Sequence, residues 1–288
     1  MKILYYGVFD GKKWRSEYPM SDGLTALGHD LIKCNFRSRW PGQVLKAWHN
    51  NKNDIDLIFL QNGIPFKASW LNKMKEKPLV FLASEYALSS AEHILKSSRL
   101  PDLVLAHSEQ THIYCQQEEI PVQRVHHAYN HSQYRSLALP FEYDVCFVGG
   151  MTPKRARFLS YLKKSNYKVC ITKNWNAHAI NRIYNQSKIV LHIHGKDVPY
   201  LPTRLFEVLP TQGCLLIEDL HDNEDTDLGT DFYKTFASPE QMLSQIHVLL
   251  QDEILRSRLV QRANTLAEAH SWQARMKRYE TYFESVLP

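Results

Sequence analysis

The chain has 288 residues, 44% of them hydrophobic and 23% charged, with a formal net charge of +5. These values describe an ordinary globular protein of roughly two domains of about 100–150 residues each, long enough to bury a core without disulfides or a structural metal. No apolar run approaches the ~18–20 residues of a membrane span, and the charge falls well short of that of a nucleic-acid-binding domain.

The basic excess lies mainly in the first half, where residues 1–140 carry 17 basic and 13 acidic side chains. That mild bias suits an acidic or phosphate-bearing partner. Cys34, Cys115, Cys146, Cys170 and Cys214 are odd in number and far apart, with no CxxC pair. Reduced thiols in a cytoplasmic protein account for them better than a disulfide framework or a zinc site does.

The opening "MKILYYGVF" lacks a cleavage site and reads as a buried first strand, Ile3 to Val8, rather than a signal peptide. A helical stretch near Asp22 to Leu27 follows, then "HDLIKCNF", "IDLIFLQ", a helix through Ala68 to Met74, "PLVFLAS" and "DLVLAHS". Short apolar runs separated by helices predict a parallel sheet with crossover helices. The pattern restarts near residue 141. "YDVCFVGG" leads into the helix "PKRARFLSYLKKS", then "YKVCIT", the helix "AHAINRIYNQS", "KIVLHIH", the helix "TRLFEVLPTQ", "CLLIED" and "FYKTFA". From Pro239 to Leu287 the tail reads as helix, with Ser238 and Gln241 at capping-box spacing. Two Rossmann-like α/β domains follow, residues 1–140 and 141–288, with the last helix expected to pack back on the first.

Two segments carry chemistry. In "FVGGMTPKR", Gly149 and Gly150 separate a strand from a helix, so backbone amides and the helix N-terminus can approach a phosphate, and Lys154 and Arg155 add positive charge. The bland alternative is a tight turn with solvated cations. In "PTRLFEVLPTQGCLLIED", Arg204 and Glu207 share one helix face and Gly213 precedes the strand. A carboxylate there can accept both hydroxyls of a ribose, and an arginine can neutralise a diphosphate; otherwise the two form a surface ion pair.

In order, "YDVCFVGG", "IYNQSKIVLHIH", "PTRLFEVLPTQGCLLIED", "SPEQMLSQIHVLLQDEILRSRLVQRA" and "HSWQARMKRYE" resemble the C-terminal domain of glycosyltransferase-like proteins of the spore-maturation (CgeB-type) group. That group is itself similar to the larger retaining GT-B transferases. The resemblance spans residues 143–280. It implies a GT-B fold, two Rossmann-like domains with parallel sheets facing across a cleft, the first binding the acceptor and the second the donor. It implies that Glu207 holds the donor ribose, that Gly149 and Gly150 approach the diphosphate, that Arg204 lies near phosphate or sugar, and that Thr211, Gln212 and Gly213 flank the donor. Lys173 and Trp175 fall where such proteins contact the base. The larger transferases carry a second glutamate that here would fall at Pro199; His194, Gly195 and Asp197 are the nearby substitutes.

In the first half, "PDLVLAHSEQTHIYCQQEEIPVQRVHHAYNHSQY" resembles the end of a GT-B acceptor domain, with Gly7 placed for close approach to the donor. Lys12, Lys13, Trp14 and Arg15, and then Arg37, Arg39 and Trp40, form two basic-aromatic clusters suited to sugars, bases or phosphates. Each also reads as surface cations beside packed tryptophans. Glu85, His107 and Asp10 follow strands and are the candidate acids or bases. His192 and His194 alternate on a strand but lack a third ligand, so no metal or other cofactor is expected. The implied activity is sugar transfer, with retention, from a UDP-linked donor to an acceptor hydroxyl. Glycosylation of hydroxymethylated DNA bases by a phage-type enzyme, and a degenerate ligand-binding module, are the alternatives.

Overall fold

The computed structural model describes residues 1–12, 14–37, 42–62, 66–85, 87–174, 176–195, 201–219 and 229–288. They form two compact units, Met1–His126 with Trp272–Pro288, and His127–Ser271. The first unit ends at His126, ahead of residue 140, because the intervening segment is tied to the second unit. Arg135 N–H donates to Asn181 Oδ1 (3.1 Å) and Leu137 N–H to Asn185 Oδ1 (3.0 Å). Leu139 exchanges two hydrogen bonds with the Gln212 amide.

The first unit holds a parallel sheet of β1 (Lys2–Gly7), β2 (Asp30–Asn35), β3 (Leu57–Gln61), β4 (Leu79–Ala83), β5 (Leu103–Ala106) and β6 (Val122–Arg124). The order is β2-β1-β3-β4-β5-β6. Side chains alternate across each strand. Leu4, Tyr6, Ile58, Leu60 and Phe81 enter one core, against α2 (Gly42–Asn51), α3 (Ala68–Leu71), α4 (Glu92–Leu95) and α5 (Glu109–Gln117). On the opposite face Tyr5 meets Phe59, and Phe59 meets Phe283 of α11 (Trp272–Glu284), with ring centroids 4.7 and 5.1 Å apart. Helix α1 (Glu17–Ala26) lies against α11 so closely that a Cβ on Gly23 would stand 2.8 Å from Met276 Cγ. It begins five residues before the expected Asp22, with Pro19 accommodated in its first turn.

The second unit holds β7 (Tyr143–Val148), β8 (Val169–Thr172), β9 (Ser187–His192), β10 (Cys214–Glu218) and β11 (Tyr233–Phe236), all parallel, in the order β11-β10-β9-β7-β8. Cys146, Val148, Val190, Leu215 and Ile217 face α7 (Ala177–Asn185), α8 (Thr203–Val208) and α10 (Glu253–Ala267). Their alternates Val145, Phe147, Ile189, Leu191 and Leu216 face α6 (Pro153–Lys163) and α9 (Pro239–Gln251). Burial on both faces is why these strands read as unbroken apolar runs. No helix among the described residues is long and apolar enough to cross a membrane.

Candidate functional site

Parallel α/β sheets bind ligands beyond the C-terminal ends of their strands, where strand order reverses. In the second unit that point lies between β7, which continues to β8 on one side, and β9, which continues to β10 on the other. Gly149 and Gly150 leave β7, and Ile193, His194 and Gly195 leave β9.

Arg155 staples these two exits. Its Nε donates to the Ile193 carbonyl (2.9 Å), its Nη1 to the Gly150 carbonyl (2.8 Å), and its guanidinium lies 5.5 Å from the Phe147 ring centroid. A Cβ on Gly149 would sit 3.2 Å from Phe147 Cζ and 3.4 Å from Arg155 Nη1. Thr152 caps the eleven-residue α6 by accepting from Arg155 N–H, with Pro153 in the first turn. Glu218, the last residue of β10, accepts from His194 N–H (2.8 Å) and pairs with Lys154 Nζ (2.7 Å). Two cations and a helix N-terminus therefore gather at the switch point, partly offset by one carboxylate.

His192 and His194 are buried, their rings 4.9 Å apart and nearly perpendicular. Burial, then the neighbouring His194, Arg155 and Lys154, hold His192 well below the ordinary histidine pKa, so it is neutral. No group of three or more metal-ligating side chains comes together among the described residues.

Arg204 and Glu207 sit on α8 with Nη1 and Oε2 3.4 Å apart and each side chain only 17% exposed, so this is not a solvated surface pair. The Arg204 guanidinium lies over the Tyr184 ring, 5.5 Å from its centroid. Tyr184 in turn stacks on Tyr134, at 6.3 Å and 21°. Burial, with the Glu207 charge second, pushes the Tyr134 hydroxyl far above the usual phenol pKa. Arg204 thus meets both Tyr184 and Glu207.

Thr211, Gln212 and Gly213 lie at the N-terminal end of β10, the edge opposite Gly149 and His194. They do not flank the switch point, because α8 returns the chain across the sheet. Thr211 Oγ1 donates to the Val208 carbonyl, Gln212 holds Leu139, and a Cβ on Gly213 would come within 2.5 Å of Val190 Cγ2. Lys173 follows β8 and is exposed. Trp175, Lys13, Arg39, Trp40, Asp197 and Pro199 lie outside the described residues.

In the first unit the loop after β1 is internally braced. Arg15 makes two 3.0 Å hydrogen bonds to Asp10 and lies 4.9 Å from the centroid of Trp14, which is 49% exposed. The Arg15 hydrogen bonds are the main reason the Asp10 carboxyl is held below its ordinary pKa, and a base so weakened removes a proton poorly. Lys12 Nζ is 3.9 Å from Asp10, and Arg37 is exposed after β2. Glu85 is exposed after β4, and His107 is buried after β5. Gly7 is packed by Glu17, whose Cγ would lie 2.9 Å from an added Cβ.

Glu17, Tyr134, Tyr184 and Glu218 are missing from the sequence reading. Glu218 carries a legible signal, a carboxylate closing an apolar strand. Tyr134 sits in the irregular segment "NHSQY", where no periodicity marks it.

Residues 142–281 match the family model described as glycosyl transferase-like. No curated protein sequence matches the chain. Similar solved structures include Anabaena HepE in complex with UDP, at 12% identity and TM-score 0.69 over the full length of both chains. Sucrose-phosphate synthase from Thermosynechococcus elongatus matches at 10% identity and TM-score 0.68, covering 99% of this chain and 98% of its own. A DNA-modifying β-glucosyltransferase, solved with and without uridine diphosphoglucose, matches at 11% and 0.66, covering 99% and 100%. At these identities the structures speak to the fold, two parallel-sheet Rossmann-like units of GT-B type. Residues 142–281 thus carry a glycosyl transferase-like domain, in a chain whose two units have the GT-B fold.

Proposed function

We propose that the chain transfers a sugar from a UDP-linked donor to an acceptor hydroxyl, with the donor held by the second unit. The observation that carries this reading is the switch point itself. Gly149, Gly150, Lys154 and the capped α6 N-terminus stand at the C-terminal edge of the sheet, inside the family-matched region. In this reading the β7–α6 turn takes the diphosphate and Lys154 its charge. Glu207 takes the ribose, Lys173 and Trp175 lie toward the base, and His194 lies toward the sugar. Arg155 supplies field rather than direct ligation, since its Nε and Nη1 are engaged by carbonyls.

In the reaction the acceptor oxygen bonds to the anomeric carbon, the bond from that carbon to the β-phosphate oxygen breaks, and UDP departs with its charge stabilised at the cationic turn. With retention, the departing phosphate takes the acceptor proton, and Glu85 and His107 need not act as bases. Lys12, Trp14, Arg15 and Arg37, with Lys13, Arg39 and Trp40, would meet the acceptor. The reaction and the binding site require no metal in this reading.

Incubating the chain with UDP-glucose, UDP-galactose and UDP-N-acetylglucosamine, and following UDP release with and without an acceptor panel, tests the proposal. Acceptor-stimulated release abolished by Glu207→Ala supports it. Nucleotide binding without turnover across the panel favours a ligand-binding module instead.

A second reading takes hydroxymethylated DNA as the acceptor. The basic excess of residues 1–140 and the exposed Trp14 with its stacked Arg15 favour it. A target base in duplex would have to be flipped out. Radiolabel transfer from UDP-glucose to hydroxymethylcytosine-containing DNA, but not to unmodified DNA, distinguishes it.

A further inference from the structure

We propose that Glu218 is a specificity-determining residue of the donor site, whose fixed negative charge separates a sugar nucleotide from released UDP by their difference in charge. The inference rests on the reading that Lys154 takes the charge of the diphosphate. A carboxylate has the wrong sign for an anion site, so its presence there calls for a reason. Glu218 closes β10, is only 8% exposed, and has both oxygens engaged. Oε2 accepts from His194 N–H (2.8 Å), and Oε1 stands 2.7 Å from Lys154 Nζ in the first turn of α6. The strand end is fixed as well, since Glu218 is in register with Phe236 of β11 and Asp219 N–H donates to the Phe236 carbonyl (2.8 Å). The carboxylate therefore cannot swing away without giving up a buried backbone donor.

Geometry then brings ligand and carboxylate together. A phosphate oxygen accepting from the same ammonium at about 2.8 Å lies no more than about 5.5 Å from Glu218 Oε1. The side chains of Lys154 and Glu218 are 25% and 11% exposed, so water and salt screen that approach less than on an open surface. The repulsion grows with the charge of the ligand. The diphosphate of a sugar nucleotide is esterified at both ends, whereas UDP ends in a monoester phosphate that ionises a second time near pH ~6. At pH ~8 UDP thus carries about one negative charge more than its sugar ester, and Glu218 weighs more heavily on the product than on the donor. The bond to His194 N–H does not need that charge, because a neutral amide oxygen would accept it equally well.

The test is calorimetric titration of the full chain, at pH ~8, with UDP and with the methyl ester of its β-phosphate. The two ligands differ by one negative charge and one methyl group. Glu218→Gln keeps an acceptor for His194 N–H and removes the charge. It is expected to tighten UDP by about tenfold relative to the ester. A ratio of affinities that stays the same, or that moves toward the ester, would make the carboxylate a structural tie for Lys154 and overturn the proposal. Wild type is expected to bind the ester at least as tightly as UDP. A wild-type preference for UDP of about tenfold or more contradicts the proposal even if Glu218→Gln does not fold. Wild type that binds neither ligand removes the donor site instead. Affinities for both ligands that Lys154→Met leaves unchanged remove the diphosphate role of Lys154 on which the inference rests.

Discussion

Glu17 places a carboxylate in the interior of the first unit, only 3% exposed, at the C-terminal end of β1. Val8 N–H donates to it at 3.2 Å. Burial outweighs that bond and pushes its pKa up from the ordinary 4.5. The folded chain then binds this proton more tightly than the unfolded one, so its contribution is most favourable below pH 4.5 and is lost as pH rises through the folded value. Glu17→Gln keeps an oxygen for Val8 and removes the charge. It should raise the melting temperature by about 2–4 °C at pH 8, the gap closing as pH falls toward 4.5; a pH series of thermal melts on both proteins checks this. His192 has the opposite sense. Held neutral in the fold, it leaves the unfolded state as the better proton binder below 6.5, so acidification costs stability there. At this scale the sequence was legible where a residue follows a strand, as Gly149 and His194 do, or opens a helix, as Lys154 does. It was not where tertiary partners decide the role. Asp10 follows β1 but is paired with Arg15, and Arg204 stacks on Tyr184 while its Nη1 meets Glu207.

Among elements, the turn from α8 to β10 shows how closely the second unit is fitted. A Cβ on Gly213 would meet Val190 Cγ2 at 2.5 Å and the Tyr184 carbonyl at 2.9 Å. Part of that wall is backbone and cannot move aside, so Gly213→Ala should cost about 1–3 kcal/mol, read as a lower urea midpoint with an unchanged m-value. An unchanged midpoint would mean the turn opens without cost. The same turn explains why the helix read from "TRLFEVLPTQ" stops at Val208. Leu209 keeps helical backbone angles, but Pro210 has no N–H to continue the hydrogen-bond ladder, a breaker that the apolar spacing around it masks. β6 escaped the reading because a three-residue, half-buried edge strand has no apolar run to announce it. The central strands were legible because both their faces are buried.

For the whole molecule, the order of elements was readable and the division of the chain was less so. The repeat of short apolar runs and helices marks two α/β units, but contacts, not composition, assign residues 127–139 to the second and α11 to the first. That assignment predicts a local effect. Phe283→Ala removes a ring packed on Phe59, at a cost of about 3–5 kcal/mol. Hydrogen exchange should then quicken in β1 and β3 while β9 and β10 keep their protection; equal loss in both units would contradict independent cores.

The central claim is a UDP-sugar site on the second unit, with Glu207 in it. The most direct measurement is the melting temperature of wild type and Glu207→Ala against uridine, UDP and UDP-glucose at millimolar concentration. Ligand that binds only the native state at 100 times its Kd adds about 2.7 kcal/mol. The account predicts a rise of several degrees with UDP and UDP-glucose in wild type, little with uridine, and none in Glu207→Ala. A wild-type chain whose melting is indifferent to every nucleotide, or a Glu207→Ala chain that responds as wild type does, would contradict it.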